Sequence, residues 1–115
     1  MSNVQFEAVH LADPTALIFR MLPVQGSIEI QHDAAGKLHD WHAHDTDETL
    51  IILHGSVRFF SEVGERLCRP GDVIKLPCGV RHGSEALGEG AIYLIALRLL
   101  EMPAKENPPV MGERP

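Results

Sequence analysis

Short apolar segments alternate with turns rich in glycine, proline and acidic residues along most of the chain. Segments this short, with β-branched or leucine residues and regular turn signals, are typical of an antiparallel β-sandwich or β-barrel. No stretch has a convincing amphipathic helical period. The pattern therefore predicts an all-β domain whose strands cover residues 27–32, 38–44, 49–53, 57–61, 66–69, 73–76, 81–86 and 91–100.

The two ends of the chain fit this pattern less well. Residues 15–21 are apolar enough for a strand or for a single helical turn, and we favour a strand. Residues 101–115 contain four prolines and no periodicity, so we expect a Pro-rich tail that is disordered or lies over a neighbouring subunit. A chain of 115 residues is long enough for one core, and we assign residues 1–100 to a single domain.

The predicted strand 49–53 is apolar on both faces, because Leu50 and Ile52 alternate with Ile51 and Leu53. A strand in a sheet with one solvated face would carry polar residues on its outer side. The outer face is therefore covered, either by the N-terminal segment or by a second subunit. Of these alternatives we expect the second, a homodimer.

Composition narrows the range of partners. The chain has a formal net charge of -6, which argues against nucleic acids and anionic membranes, since both are bound by clustered positive charge. No apolar run approaches the ~20 residues of a membrane-spanning helix, and the N-terminus lacks the basic start and apolar stretch of a signal peptide. We therefore expect a cytoplasmic protein.

The strongest chemical signal is a pair of histidines, His42 and His44. On a strand, side chains two residues apart lie on one face, about 6.6 Å apart along the chain. On a helix they would point about 200° apart and could not share an ion. Glu48 follows a polar triplet that is typical of a turn, and it returns a carboxylate towards the pair. His82 must come from a strand that is distant in sequence and paired in space.

Glycine and proline residues frame these four positions at fixed spacing. The two frames are Gly36-x5-His42-x-His44-x3-Glu48-x6-Gly55 and Gly71-x5-Pro77-x-Gly79-x2-His82. They resemble the two signature motifs of the cupin superfamily, with motif 1 at residues 36–55 and motif 2 at residues 71–86. Ala86 departs from the second motif, which usually ends in Asn, a residue that does not bind the metal in this family.

The resemblance implies a small single-domain bacterial cupin of type 2, an RmlC-like jelly roll or antiparallel β-barrel with one divalent transition metal inside. The metal ligands would be His42, His44, Glu48 and His82. Three neutral imidazoles and one carboxylate leave one or two coordination positions open. This set suits Fe, Mn, Ni, Co or Zn, and the sequence does not choose among them.

These features predict a metalloenzyme of dioxygenase type that acts on an enol, catechol-like or β-dicarbonyl substrate. A cupin can also bind or sense a small ligand without turnover. A metal-dependent isomerase or lyase would use the same ligands, because a fold does not by itself select a reaction. No catalytic residue is assigned, and both alternatives stay open.

Strand alternation predicts which side chains face the metal. Asp40, Ile52 and Ser84 each keep even spacing from a predicted ligand, and one of Phe59 and Phe60, but not both, should point inward. Asp40 would then orient an imidazole, in a cavity that is mainly apolar. We interpret the remaining histidines as surface or core residues without a metal role: His10, His32, His39 and His54.

Overall fold

The computed structural model describes residues 3–103 and contains one seven-stranded sheet in which every pairing is antiparallel. The elements in chain order are β1 Gln5–Ala8, α1 Pro14–Met21, β2 Glu29–Asp33, β3 Leu38–His42, β4 Glu48–Ser61, β5 Gly64–Cys68, β6 Asp72–Leu76 and β7 His82–Ala96. The predicted all-β, antiparallel architecture is confirmed. Most of the predicted Pro-rich tail, residues 104–115, lies outside the described residues. Within residues 3–103, no helix has the length and hydropathy needed to cross a membrane.

Two long strands, β4 and β7, form the centre of the sheet and pair with each other along most of their length. β6 pairs with the first part of β4 and β5 with its last part. In the same way, β3 pairs with the start of β7 and β2 with its end. The sheet curves around an interior cavity lined by residues of β2, β3, β4, β6 and β7.

Two predicted strand breaks are bulges inside β4 and β7, and both strands continue through them. The register changes from Gly55 opposite Ala91 to Ser56 opposite Leu87, so one step along β4 matches several residues of β7. Gly55 has φ +77°, and a Cβ there would lie 1.9 Å from the carbonyl oxygen of Gly90. Glycines at such positions mark a bulge as readily as a turn, which explains why the sequence predicted a break.

The segment 15–21 is helical, and its prediction as a strand is wrong. α1 begins after Asp13, whose side chain accepts a hydrogen bond at 3.1 Å from the backbone N–H three residues later. Pro14 occupies the first turn of the helix. An Asp cap followed by proline is a helix-start signal. Leu17 and Met21, one turn apart, are the buried residues of the helix.

Two apolar clusters lie on opposite faces of the sheet. The inner cluster includes Ile52 and Tyr93, and the outer cluster includes their neighbours Ile51 and Leu94, because successive strand side chains face opposite ways. α1 contributes its two buried residues to the outer cluster. The N-terminal segment thus covers the outer face of β4, which was one of the two alternatives, and the homodimer stays a prediction.

Candidate metal centre

Three imidazoles meet beside the interior cavity. His42 ends β3 and is paired with His82, the first residue of β7. Ring centroids are 4.3 Å apart for His42 and His82, 4.7 Å for His42 and His44, and 5.1 Å for His44 and His82. One ring nitrogen of each lies within 4.8 Å of the other two. The three histidines can therefore hold a single metal ion.

Backbone hydrogen bonds select the ring nitrogen that is left free. Nδ1 of His82 lies 2.9 Å from the carbonyl oxygen of Val80, and Nδ1 of His42 contacts the carbonyl oxygen of Asp40. A carbonyl only accepts, so Nδ1 carries the proton in both rings and Nε2 keeps its lone pair. Such bonds also fix the orientation of metal-binding imidazoles.

The Nε2 atoms of His42 and His44 stand 3.1 Å apart. If His44 carries its proton on Nε2, this contact is an N–H···N hydrogen bond to His42. Two nitrogens bound to one metal at about 2.0–2.1 Å stand about 2.9 Å apart when their bonds are perpendicular. The spacing is therefore also compatible with two ligands of one divalent cation.

Glu48 brings a carboxylate to the same group. It opens β4, is 9% exposed, and places Oε2 3.6 Å from Nε2 of His44. Burial raises the pKa of its carboxyl above the ordinary value; the charge of His44 opposes this shift, and Glu29 adds to it. A cation among the imidazoles would hold the carboxylate ionised. The four residues face one cavity, and their joint ligation of a metal stays a prediction.

His82 is the most buried of the three imidazoles. Burial lowers its pKa to about 4, against the opposing effect of the bond to the Val80 carbonyl. Phe59 stacks on the ring, with centroids 5.6 Å apart and planes inclined by 14°. His82 is therefore neutral at neutral pH, which is the form that binds metals.

Two hydrogen bonds tie the two sequence motifs together. The N–H of Gly79 donates to the carbonyl oxygen of His44 at 2.9 Å. The N–H of Cys78 donates to the side chain of Asp47 at 2.8 Å. The loop that follows β3 and the loop that precedes β7 are thus held together, and with them the two sources of imidazoles.

The cavity beside the imidazoles has a volume of about 330 Å³, at the lower end of the range for small-molecule sites. Ile52, Phe59 and Ser84 line it. Phe60 lies on the opposite face of the sheet, where its ring centroid is 4.9 Å from that of Trp41. Phe59 is thus the inward-facing residue of the pair, and Phe60 has no place at the site.

Asp40 does not face the cavity, so the prediction that its carboxylate orients an imidazole is wrong. Its carboxylate is exposed and accepts a hydrogen bond from the backbone N–H of Trp41 at 2.8 Å. Only its backbone carbonyl reaches His42. The cause is a register shift between His39 and His42 in β3, because a bulge reverses the alternation on which the prediction rested.

The same bulge allows His39 to line the cavity, and sequence reasoning missed it. His39 lies three residues from His42, so alternation alone puts the two on opposite faces. Glu29, Gln31 and Tyr93 line the cavity as well. Apolar residues still form the larger part of the lining, as expected, but several charged and amide groups stand beside them, where few polar groups were expected.

These four polar side chains form one wall of the cavity, the polar wall, and three of them are hydrogen-bonded to Asp33. Asp33 is 4% exposed and accepts hydrogen bonds on Oδ2 from the Tyr93 hydroxyl at 2.7 Å and from Nε2 of His39 at 2.9 Å. The side-chain amide of Gln31 donates to Oδ1 at 3.0 Å. Burial by itself would raise the pKa of this carboxyl, but the three donors outweigh it and lower the pKa below its ordinary value. Asp33 is thus an ionised and well-paired carboxylate.

Comparisons with known proteins agree with this fold. A cupin-2 domain protein from Shewanella frigidimarina aligns with a TM-score of 0.54 and 25% identity, over 69% of this chain and 78% of that chain. A DMSP lyase from Ruegeria pomeroyi aligns with a TM-score of 0.56 and 26% identity, over 59% of this chain and 35% of that chain.

Sequence similarity reaches one enzyme and one family. Over 62 residues the chain is 37% identical to an acireductone dioxygenase from Granulibacter bethesdensis, which covers 50% of this chain and 34% of that protein. The chain thus spans about a third of the length of this relative and of the lyase. The sequence model of the AraC-like ligand binding domain matches residues 25–104, which contain all four predicted ligands. The chain therefore belongs to the AraC-like ligand-binding domains of the cupin superfamily.

Proposed function

We propose that the protein is a metal-dependent small-molecule enzyme of dioxygenase type, acting on an enol, catechol-like or β-dicarbonyl compound. The observation that carries the proposal is the convergence of three imidazoles and a buried carboxylate on one small cavity. A divalent Fe, Mn, Ni, Co or Zn ion would polarise a substrate oxygen and hold dioxygen beside it. Its ligands would be His42, His44, Glu48 and His82.

The lining of the cavity favours a small ligand that is rich in oxygen atoms. Ile52 and Phe59 offer apolar surface that excludes water from part of the ligand. The Ser84 hydroxyl and the Gln31 amide can donate hydrogen bonds to ligand oxygens. A buried hydroxyl without a partner costs about 1–3 kcal/mol, so a polar wall of this kind fits an oxygenated compound better than a hydrocarbon.

The similarity to an acireductone dioxygenase supports our proposal of dioxygen chemistry over the other reactions known for this fold. That similarity covers half of this chain and a third of the relative, so the activity of the relative is a proposal for this protein.

Dioxygen consumption tests the proposal. Protein loaded with each of the five metals under anaerobic conditions would be mixed with aerated buffer and one compound from a panel of enediols, catechols and β-diketones. We expect one metal and one compound class to give dioxygen uptake with matching loss of the compound. His82→Ala should abolish the uptake, and His54→Ala, an exposed histidine outside the cavity, should leave it unchanged. Uptake that is equal in the His82 variant and the wild type would contradict the assignment.

A non-catalytic ligand-binding or sensory role is the second candidate, because the matching family is a ligand-binding one. It predicts that the metal-loaded protein binds a compound of the panel, measured by calorimetry, and returns it unchanged after prolonged incubation with dioxygen.

A metal-dependent isomerase or lyase is the third candidate, and the polar wall of Glu29, Gln31 and His39 favours it. The similarity to a DMSP lyase points the same way. Product formation in the absence of dioxygen would place this candidate first.

Assembly and location complete the proposal. We propose that residues 1–100 form one domain that pairs as a homodimer in the cytoplasm. Light scattering at micromolar concentration tests the pairing, and a monomer mass would contradict it.

A further inference from the structure

The cavity has a second cluster of polar groups, separate from the four predicted metal ligands. His39 lines the cavity from β3, and its side chain is about one-third exposed, at 32%. Asp33, at the end of β2, is buried against it and accepts the bond from Nε2 of His39. An imidazole whose far nitrogen is held by a buried carboxylate is an arrangement that moves protons in many enzymes.

The hydrogen bonds fix the form of the His39 ring. Asp33 is ionised and can only accept, so Nε2 of His39 carries a proton and donates it. In the neutral ring, Nδ1 then holds the lone pair. Among the described residues, no side chain or backbone group forms a hydrogen bond with this nitrogen. The ring thus presents a free proton acceptor at the cavity wall.

The β3–β7 pairing places His39 close in register to two of the predicted metal ligands. In the β3–β7 ladder, His39 is opposite Ser84 and His42 is opposite His82. Ser84 and His82 are two residues apart on β7, which is about 6.6 Å. A compound of four or five heavy atoms spans this interval, with one oxygen among the imidazoles and a hydroxyl or methylene group beside His39.

We propose that His39 is the general base of this site and that Asp33 positions it; the proposal rests on the metal-dependent function above. An enol hydroxyl of the substrate, or a C–H group next to its carbonyl, loses its proton to Nδ1 of His39. The electron pair of the broken O–H or C–H bond stays on the substrate as an enolate. His39 becomes an imidazolium, and the carboxylate of Asp33 stabilises its charge through the Nε2–H bond. The substrate class is therefore a small carbonyl compound that forms an enolate.

Other titratable groups face the same cavity, and they set the charge around His39. Glu29 lines the cavity from β2, Glu48 from β4, and Tyr93 and His82 from β7. His42 lines it from the end of β3 and His44 from the loop that follows, while Asp33 is buried beside His39. A metal cation favours the enolate. Proton transfer from substrate to His39 thus places a positive charge next to Asp33 and a negative charge next to the metal.

The ring form is tested first, in the metal-free protein, by two-bond ¹H–¹⁵N NMR spectra of the histidine side chains. We expect neutral His39 to carry its proton on Nε2 in the wild type. Asp33→Asn should lose this preference, whereas Tyr93→Phe removes another donor to the same carboxylate and should keep it. A wild-type ring with its proton on Nδ1 would overturn the proposal.

Proton transfer is tested with 2,4-pentanedione and metal-loaded protein, by the ultraviolet absorbance of the enolate between pH 5 and 8. We expect His39→Gln to lower the rate of enolate formation at least tenfold at pH 7, with the metal content of the wild type. His54→Gln is the matched control and should behave as the wild type. Equal enolate formation in the His39 variant, or no enolate in the metal-loaded wild type, would overturn the proposal but leave the metal site standing. If the wild type bound no metal, both the proposed function and this role of His39 would be wrong.

Discussion

At the scale of single residues, the imidazoles of the candidate metal centre are oriented before any ion binds. His42 and His82 each donate Nδ1–H to a carbonyl two residues earlier in the chain, and Phe59 stacks on the second ring. An ion thus meets nitrogens that are already placed, which lowers the ordering cost of binding.

Removing any one imidazole should therefore weaken metal binding strongly. Loss of an outer hydrogen-bond partner of a ligand typically costs 10–100-fold in metal affinity, and we expect loss of His42, His44 or His82 by substitution with Ala to cost on the order of 100-fold or more. Elemental analysis after dialysis against a weak chelator measures the retained metal. Full occupancy in all three variants would refute the site.

The buried ring of His82 should also make the metal-free protein sensitive to acid. Its pKa falls from 6.5 to about 4 on folding, so between these values the unfolded chain binds the extra proton. Stability is then fully present above pH 6.5 and is lost as the pH falls towards 4, by up to about 1.4 kcal/mol per pH unit. The raised pKa of Glu48 acts in the opposite direction, so the comparison has to isolate one residue.

Urea unfolding of metal-free wild type and His82→Gln at pH 7 and pH 5 provides that comparison. We expect the wild type to lose more unfolding free energy than the variant between the two values. An equal loss in both proteins would show that His82 does not titrate as its burial indicates.

At the scale of elements, the fold depends on two strands that continue through bulges. Gly55 and Gly90 approach so closely that a Cβ on Gly55 would collide with a backbone oxygen. The bulge changes the register between β4 and β7, and the strand parts on either side then pair with different short strands.

Gly55→Ala should be much more destabilising than Gly36→Ala. Both glycines have positive φ, +77° and +82°, but nothing lies within 4 Å of a Cβ on Gly36. Gly36→Ala, the control, has only the cost of a positive φ in alanine, about 1–2 kcal/mol. Gly55→Ala has this cost and a further steric cost of about 1–3 kcal/mol. Urea unfolding measures both changes, and equal losses would mean that β7 moves aside freely.

At the scale of the whole molecule, the sheet separates a functional face from a supporting face. The inner cluster borders the cavity, and the outer cluster is covered by α1. Arg98 donates to the carbonyl oxygen of Met21 at 3.0 Å and ties the end of α1 to the chain after β7. The N-terminal segment therefore stabilises the barrel from the side away from the metal centre.

Met21→Ala should consequently lower stability and spare metal binding. Met21 is fully buried, and removing such a side chain costs about 2–5 kcal/mol. Phe19→Ala, on the exposed side of the same helix at 72% exposure, should stay within about 0.5 kcal/mol of the wild type. Urea unfolding measures the stability of both variants, and elemental analysis measures their metal content. Loss of metal from folded Met21→Ala would contradict the prediction that the outer face does not affect metal binding.

The sequence by itself determined the fold class and predicted which three histidines converge. Spacing of two residues predicted that His42 and His44 share a face, a local property of β geometry, and their rings do converge although β3 ends at His42 and His44 lies in the loop that follows. The same property placed Ile52 and Ser84 towards the cavity, because no bulge separates either from its reference ligand. The signal for α1, Asp13 followed by Pro14, is also present in the sequence, although the apolar residues 15–21 by themselves favour a strand.

Only the tertiary structure decided which residues form the polar wall. A bulge in β3 exchanges the expected positions of Asp40 and His39, and a single insertion of this kind is set by pairing with β7, not by local composition. Asp33 and Tyr93 meet across the β2–β7 pair, 60 positions apart in the chain. Contacts over such separations depend on register, which the three-dimensional pairing fixes and alternation alone cannot.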